Sequence, residues 1–70
     1  MSKAIKKDKV QVERKEVGIE VRDNDRGRFV ILQEFTNGRY SEIRFPYCGL
    51  RDVVNMIDNV INQIEMEGNQ

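Results

Sequence analysis

Residues 22–29 of this 70-residue chain have the sequence Arg-Asp-Asn-Asp-Arg-Gly-Arg-Phe. Apolar and polar residues alternate before this stretch, from Glu16 to Arg22, and a second apolar run follows it, from Val30 to Phe35. Asn, Asp and Gly between two such runs are typical of a hairpin turn, because Asn and Asp side chains bond nearby backbone and Gly adopts a positive φ at little cost. The stretch therefore predicts two antiparallel strands joined at residues 24–27.

This predicted hairpin carries an unusual concentration of charge. Arg22, Arg26 and Arg28 lie at its tip beside the aromatic residue Phe29. One interpretation is a solvated turn, in which the arginines pair with the neighbouring aspartates. The other is a nucleic-acid site, in which guanidinium groups contact phosphates and the phenyl ring stacks on a base.

Length and composition limit what the chain can be. Seventy residues make at most one small domain, and a chain of this size is only marginally stable alone. One cysteine leaves no internal disulfide to stabilise it, so oligomerisation is the expected source of further buried surface. Twelve basic and twelve acidic residues cancel, so the formal net charge is zero.

The ends of the chain contain few residues that could pack. Residues 1–9 are rich in lysine and predict a mobile basic tail or a frayed first strand, residues 10–67 a single folded repeat, and residues 68–70 a short C-terminal end. No apolar run approaches the ~20 residues of a membrane span, and the first residues lack the apolar segment of a secretory signal. We therefore expect a cytoplasmic protein with no membrane partner.

Four strands and one helix are predicted along residues 10–67. The strands cover residues 10–14, 16–22, 28–35 and 39–45, the last closed by Pro46, and Asn37-Gly38 predicts a two-residue type I′ turn between the last two. Gly18 interrupts the second strand and predicts a bulge or the close approach of another backbone. The fold class is thus α+β, a four-stranded antiparallel sheet followed by one C-terminal helix.

The Asn-Gly turn fixes the register and therefore the two faces of the sheet. Leu32 is expected opposite Ile43, and Val30 opposite Phe45, on one apolar face. An even loop at residues 24–27 adds Val17, Ile19 and Val21 to that face. The other face is expected to expose Phe29, Ile31, Phe35 and Tyr40 among Arg22, Arg44, Glu20, Glu42 and Gln33.

The predicted helix has one broad apolar stripe. Its residues are Leu50, Val53, Val54, Ile57, Val60, Ile61 and Ile64, which follow helical spacing. About 18 residues give a helix of roughly 27 Å, close to the length of a strand. We expect this helix to lie across the apolar face of the sheet, with part of its long stripe, Leu50 to Ile64, packed on a partner subunit.

Aromatic residues on a sheet, bordered by arginines, favour two functions equally. Single-stranded nucleic acid is often bound on such a surface. The same surface could be an interface in a small protein-interaction or regulatory dimer. An enzyme is not expected, because Cys48 has no histidine to activate it and the carboxylates lack the spacing of a metal site. No cofactor is predicted.

Residues 15–29 resemble the central hairpin of a PUR repeat, found in the purine-rich-element binding proteins of the wider whirly-like group. Arg22, Asn24 and Arg26 match the basic-x-Asn-x-basic positions of the family pattern, and Phe29 matches its aromatic. The order of elements is also similar over roughly residues 10–65. The resemblance implies two interlocked repeats with exchanged helices, so this single repeat would form a homodimer.

The resemblance also implies single-stranded DNA or RNA, purine-rich in sequence, as the ligand. Arg22, Asn24 and Arg26 would contact phosphates and base edges, and Phe29 would stack on or wedge between bases. Further contacts are assigned to Arg28, Arg44 and Tyr40. Such a protein could associate with the nucleoid and act in transcriptional or RNA regulation. Four nearby acids, Glu20, Asp23, Asp25 and Glu42, predict weaker binding than in a basic family member, or its loss.

Overall fold

The computed structural model of this chain describes residues 2–68. Four strands form one antiparallel sheet in the order β1-β2-β3-β4, and a helix follows. The strands are β1 (Lys3–Val12), β2 (Lys15–Asn24), β3 (Gly27–Thr36) and β4 (Arg39–Pro46), and a 3₁₀ turn, Tyr47–Gly49, leads into α1 (Leu50–Gly68). The predicted α+β fold is confirmed, and of the C-terminal end predicted at residues 68–70 the last two lie outside the described residues.

Each strand connection is a tight turn of two residues. Asn37 and Gly38 have φ values of 48° and 79°, as a type I′ turn requires, and they set Thr36 opposite Arg39. The β2–β3 turn leaves Asn24 opposite Gly27, where Gly27 has a φ of 129°. Both turns confirm the register predicted from the sequence, with Val21 opposite Val30 and Leu32 opposite Ile43.

This register separates two faces of the sheet, because neighbouring residues of a strand point to opposite sides. The apolar face carries the side chains of Val10, Val17, Ile19, Val21, Val30, Leu32, Ile43 and Phe45. The opposite side is here called the arginine face. It carries Lys7, Lys9, Glu20, Arg22, Phe29, Ile31, Gln33, Tyr40, Glu42 and Arg44.

Strand β1 is longer than the sequence predicted. It begins at Lys3, so residues 3–9, expected as a mobile tail or a frayed first strand, pair with β2 through a register shift between Ala4 and Lys6. Its residues are all exposed, as is usual for an edge strand that keeps lysines toward water. The bulge falls at this shift and not at Gly18, whose missing side chain instead leaves room beside Gln33 and the Asp8 carbonyl.

The helix does not lie across the apolar face, which corrects the prediction. Its main neighbour is the 3₁₀ turn; Gly49 lies beside the Phe45 ring, and of residues 50–67 only Leu50, Val53 and Val54 are half-buried. A three-residue connection also allows a helix to fold back over its sheet, so the length of the connection does not account for the direction of α1, which leaves the sheet. Val30 is fully buried, whereas Ile43 on the same face is 60% exposed and Ile64 of the helix 63%.

The isolated chain is consequently extended. Its radius of gyration is 14.8 Å, against about 11 Å for a compact domain of this length. No helix among the described residues has the length and apolar character that crossing a membrane demands.

Candidate nucleic-acid interface

Most of the predicted contact residues meet around one cavity at the tip of the β2–β3 hairpin. This tip cavity has a volume of about 410 Å³ and is open to solvent. Its lining residues are Asn24, Arg26, Gly27, Arg28, Phe29, Arg44, Phe45 and Pro46. The volume falls in the lower part of the range of roughly 300–1,000 Å³ that is typical of ligand sites.

Phe29 and Arg44 form the part of the tip cavity that suits a planar ligand. Phe29 is opposite Pro46 in the register, and Arg44 is opposite Ile31, the next residue on that face of β3. The Arg44 guanidinium lies over the Phe29 ring, 6.0 Å from its centroid. A base can therefore stack on either the phenyl ring or the guanidinium plane, both of which bind bases in single-stranded nucleic acid.

Ile31 is not exposed on the arginine face, contrary to the prediction. It is 4% exposed, although no second layer built from residues 2–68 covers this side of the sheet. Its neighbours on the face are Glu20 and Arg44 across the strands and Phe29 and Gln33 along its own strand. Long arginine side chains cover apolar surface with their methylene groups, so the outer surface here is the charged layer above Ile31.

Arg22 is turned away from the tip cavity. Its Nε donates to Ser2 Oγ at 3.0 Å, and it also donates to the Ser2 carbonyl and to the Glu20 carboxylate. Glu20 is only 8% exposed. The hydrogen bond from Arg22 keeps the pKa of Glu20 below its usual value, and the positive charge of Lys7 adds to this effect against the opposing effect of burial. Arg22 thus balances a buried carboxylate.

Asn24 and Arg28 have structural partners of their own. Asn24 Oδ1 accepts a hydrogen bond from the backbone N–H of Arg26 at 2.8 Å, which holds the turn. Arg28 pairs with Asp23 at 3.0 Å and lies 5.5 Å from the Tyr47 ring centroid. Its position opposite Asp23 places both side chains on the side of the apolar face, so Arg28 and Phe29 point to opposite sides of the sheet.

Tyr40 lies far from the tip cavity. It is opposite Phe35, six residues along β3 from Phe29, which corresponds to about 20 Å of strand. Its ring packs against Phe35 with centroids 4.8 Å apart, and both residues are exposed. The Tyr40 hydroxyl donates to Glu42, whose second oxygen accepts from Arg44. Glu42 thereby connects Tyr40 with Arg44, which lines the tip cavity.

The carboxylates neutralise most of the predicted arginines. Glu20 pairs with Arg22, Asp23 with Arg28 and Glu42 with Arg44. Arg26, at the apex of the hairpin, forms no ion pair with any side chain of residues 2–68. Of the four arginines, Arg26 is therefore the one whose charge is fully available to a phosphate.

Two further cations belong to the arginine face and were missed at the sequence level. Lys7 lies opposite Glu20, and Lys9 lies opposite Gly18 and pairs with Glu16 at 3.4 Å. Residues 3–9 carry charges at nearly every position and hardly any apolar alternation, so the sequence offers little signal for a strand there. Lys7 and Lys9 lie on the arginine face because β1 pairs with β2.

Comparison with models of known protein families gives no match, and comparison with curated proteins gives none. Within residues 2–68, no three metal-ligating side chains come together. The resemblance to PUR repeats therefore rests on the residues and element order described above and stays a prediction.

The contact between Tyr40 and Glu42 allows a prediction about the pKa of the Tyr40 hydroxyl. The hydrogen bond to the Glu42 carboxylate and its negative charge both favour the protonated phenol, so the pKa of Tyr40 is raised. Replacement of the carboxylate in Glu42→Gln should lower the Tyr40 pKa toward its ordinary value, measured by NMR titration of the ring signals. Glu34→Gln is the control, because Glu34 bonds Lys15 and Ser41. An unchanged Tyr40 pKa in Glu42→Gln would show that the contact does not form in solution.

Proposed function

We propose that this protein binds single-stranded DNA or RNA as a homodimer and is not an enzyme. The observation that carries the proposal is the tip cavity, where the free cation Arg26 and the Phe29–Arg44 stack meet at an open site. The purine-rich preference and a regulatory role in transcription or RNA metabolism rest on the resemblance to PUR repeats.

The tip cavity suits a nucleotide because it offers both kinds of contact that a single strand needs. Arg26 supplies a cation for a phosphate, and Phe29 with Arg44 supplies a planar surface for a base. Arg28 and Arg44 are themselves exposed, at 48% and 59% of their side chains, although Glu42, the partner of Arg44, is mostly buried; ion pairs reached by water contribute little stability. A phosphate on the arginine face can therefore replace Glu42, and one at the tip cavity, which Arg28 also lines, can replace Asp23, at a cost in affinity relative to free arginines.

The amount of exposed surface supports the dimer. The chain exposes 6,139 Å², whereas a compact monomer of 8.2 kDa exposes about 4,500 Å². The excess is about 1,600 Å² per chain, or roughly 3,200 Å² for two chains, which lies within the range of obligate homodimer interfaces. A second copy of this chain is thus sufficient to cover what the monomer leaves open.

The shapes of the two uncovered surfaces support an exchange of helices. The helix is about 28 Å long and its exposed stripe includes Ile57, Val60, Ile61 and Ile64. The apolar face, with Ile43 and Val17 exposed, has nearly the same length along its strands. Since α1 leaves its own sheet, the helix of each chain would cover the apolar face of the other, leaving both arginine faces free.

The binding proposal is tested by two changes at the tip cavity. Arg26→Ala should weaken binding of a labelled single-stranded oligonucleotide. It should also make the slope of log K against log salt concentration shallower by about 0.7. Phe29→Leu keeps apolar bulk but removes the ring, and it should cost about 1–3 kcal/mol of affinity. Both are measured by fluorescence anisotropy at two salt concentrations.

Arg39→Ala is the matched control for Arg26→Ala. Arg39 is also an exposed arginine beside a hairpin turn, but it lies at the opposite end of the sheet and on the other face. Its removal should leave affinity nearly unchanged. Equal losses from both changes would indicate non-specific attraction, and no salt-sensitive binding by the unchanged protein would favour a protein-interaction surface instead.

The dimer proposal is tested on the helix. Ile61→Asp or Ile64→Asp would place a charge in the apolar contact, so dissociation and unfolding should occur together. Asn62→Asp introduces the same charge outside the stripe and should leave the dimer intact. Sedimentation at micromolar protein should give twice the chain mass for the unchanged protein, and a folded monomer there would contradict helix exchange.

A further inference from the structure

A second cavity lies on the arginine face, on the β1 side of the sheet, and is here called the Gly18 notch. It has a volume of about 380 Å³, close to that of the tip cavity. Lys7 and Lys9 of β1, Gly18 and Glu16 of β2, and Gln33 and Phe35 of β3 form its sides and floor. None of these residues belongs to the predicted contact set.

Residue 18 has no side chain, and the amide of Gln33 lies where one would be. A Cβ at this position would lie 3.0 Å from Gln33 Oε1 and 3.5 Å from the Asp8 carbonyl oxygen. The positive-φ glycines are Gly27 and Gly38, so the backbone conformation does not demand glycine at position 18. Glycine inside a strand weakens that strand, and a common reason for it is the close approach of a ligand or another backbone.

The side-chain amide of Gln33, which lies over the floor of the notch, has a defined orientation. Gln33 Nε2 donates to Glu20 Oε1 at 3.3 Å, and an ionised carboxylate can only accept hydrogen bonds. The amide NH₂ group must therefore point toward Glu20, which leaves the Gln33 carbonyl oxygen beside Gly18. The notch thus presents a hydrogen-bond acceptor to whatever enters it, next to the exposed ring of Phe35.

Two lysines and two carboxylates, Asp8 and Glu16, border the notch, and the lysines are the groups that an anion would contact. Lys7 and Lys9 both lie on this side of β1, and the Lys9–Glu16 pair is largely exposed, so water screens it strongly. A ring for stacking, an acceptor for a base edge and two cations for phosphate are the components of a nucleotide site. Gln33 is four residues from Phe29 along β3, or roughly 13 Å. One strand of a few nucleotides can therefore span both cavities.

We propose that the Gly18 notch is a second base-binding subsite of the same nucleic-acid strand. It would hold a base that carries an amino group, which donates to the Gln33 carbonyl, while Lys7 and Lys9 contact the adjoining phosphates. This inference rests on the proposed function, because it extends the strand bound at the tip cavity toward β1. Thymine and uracil have no amino group and could donate only through N3–H, whose two flanking carbonyl oxygens repel an acceptor such as Gln33 Oε1, so they should fit the notch less well.

The test compares variants of the 70-residue chain in binding a labelled single strand of about twelve adenylate or thymidylate nucleotides. Gly18→Val should fill the notch, lower the affinity for the adenylate strand at least about fivefold and reduce the preference over thymidylate. Its melting temperature should stay close to that of the unchanged protein, because valine favours strands while its Cβ forces the flexible end of Gln33 to move. Gly18→Ala is the milder version, since its Cβ meets only the movable end of Gln33 and a carbonyl at contact distance.

Lys7→Gln and Lys6→Gln form a matched pair that does not depend on packing. The two residues are neighbours on β1 and lose the same charge, but Lys6 pairs with Val21 on the apolar side, whereas Lys7 pairs with Glu20. Lys7→Gln should make the slope of log K against log salt concentration shallower by about 0.7, and Lys6→Gln should leave that slope unchanged.

The outcomes separate this inference from the function on which it rests. Unchanged binding in Gly18→Val, Gly18→Ala and Lys7→Gln, together with weaker binding in Arg26→Ala, would overturn the notch and keep the tip cavity. Gly18 would then serve only to accommodate Gln33. No binding of either strand by the unchanged protein would overturn both.

Discussion

The register of β3 is the constraint on which the rest of this structure depends. Two-residue turns at both of its ends fix β3 against β2 and β4, with Asn37 and Gly38 in the left-handed conformation that such a turn requires. Phe29 and Val30 consequently point to opposite sides. A slip of one residue would exchange every side chain between the two faces. The apolar core and the candidate site are therefore set by one and the same pairing.

Ion pairs between arginines and carboxylates determine the net charge of the candidate site. Glu20, Asp23 and Glu42 each hold an arginine, so the site is close to neutral in the unbound protein. These pairs differ in depth: both members of the Glu20–Arg22 pair are mostly buried, Arg28 and Asp23 are about half exposed, and Arg44 is exposed while its partner Glu42 is mostly buried. Removing one member of a buried pair leaves the other charge without compensation, so Arg22 serves the fold first. The exposed pairs can exchange partners with a phosphate backbone.

Much of the fold follows from local patterns in the sequence. The Asn-Gly turn, the alternation of Val17, Ile19 and Val21, and the stripe of α1 each specify an element without reference to the rest of the chain. The extent of β1 does not follow, because its lysine-rich residues become a strand only by pairing with β2. The direction of α1 does not follow either, because a connection of three residues allows a helix either to fold back over the sheet or to leave it.

The candidate site was predicted less completely than the fold. Phe29, Arg26, Arg28, Arg44 and Asn24 do meet at one cavity, but Tyr40 lies about 20 Å away along the sheet and Arg22 turns toward Ser2. Which carboxylate pairs with an arginine depends on the tertiary structure, so the residues beside that arginine in the sequence do not reveal it. The contributions of Lys7, Lys9 and Gly18 depend likewise on strand pairing.

The central claim is that one face of the sheet binds nucleic acid while the other is covered by a second chain. NMR titration of the isotope-labelled protein with a single-stranded oligonucleotide tests it most directly through the side-chain signals of β3. Phe29, Ile31 and Gln33 should shift on binding, whereas Val30 and Leu32, between them on the chain, should hardly move. Shifts that instead follow the apolar face or the stripe of α1, or no shifts at all, would contradict the account.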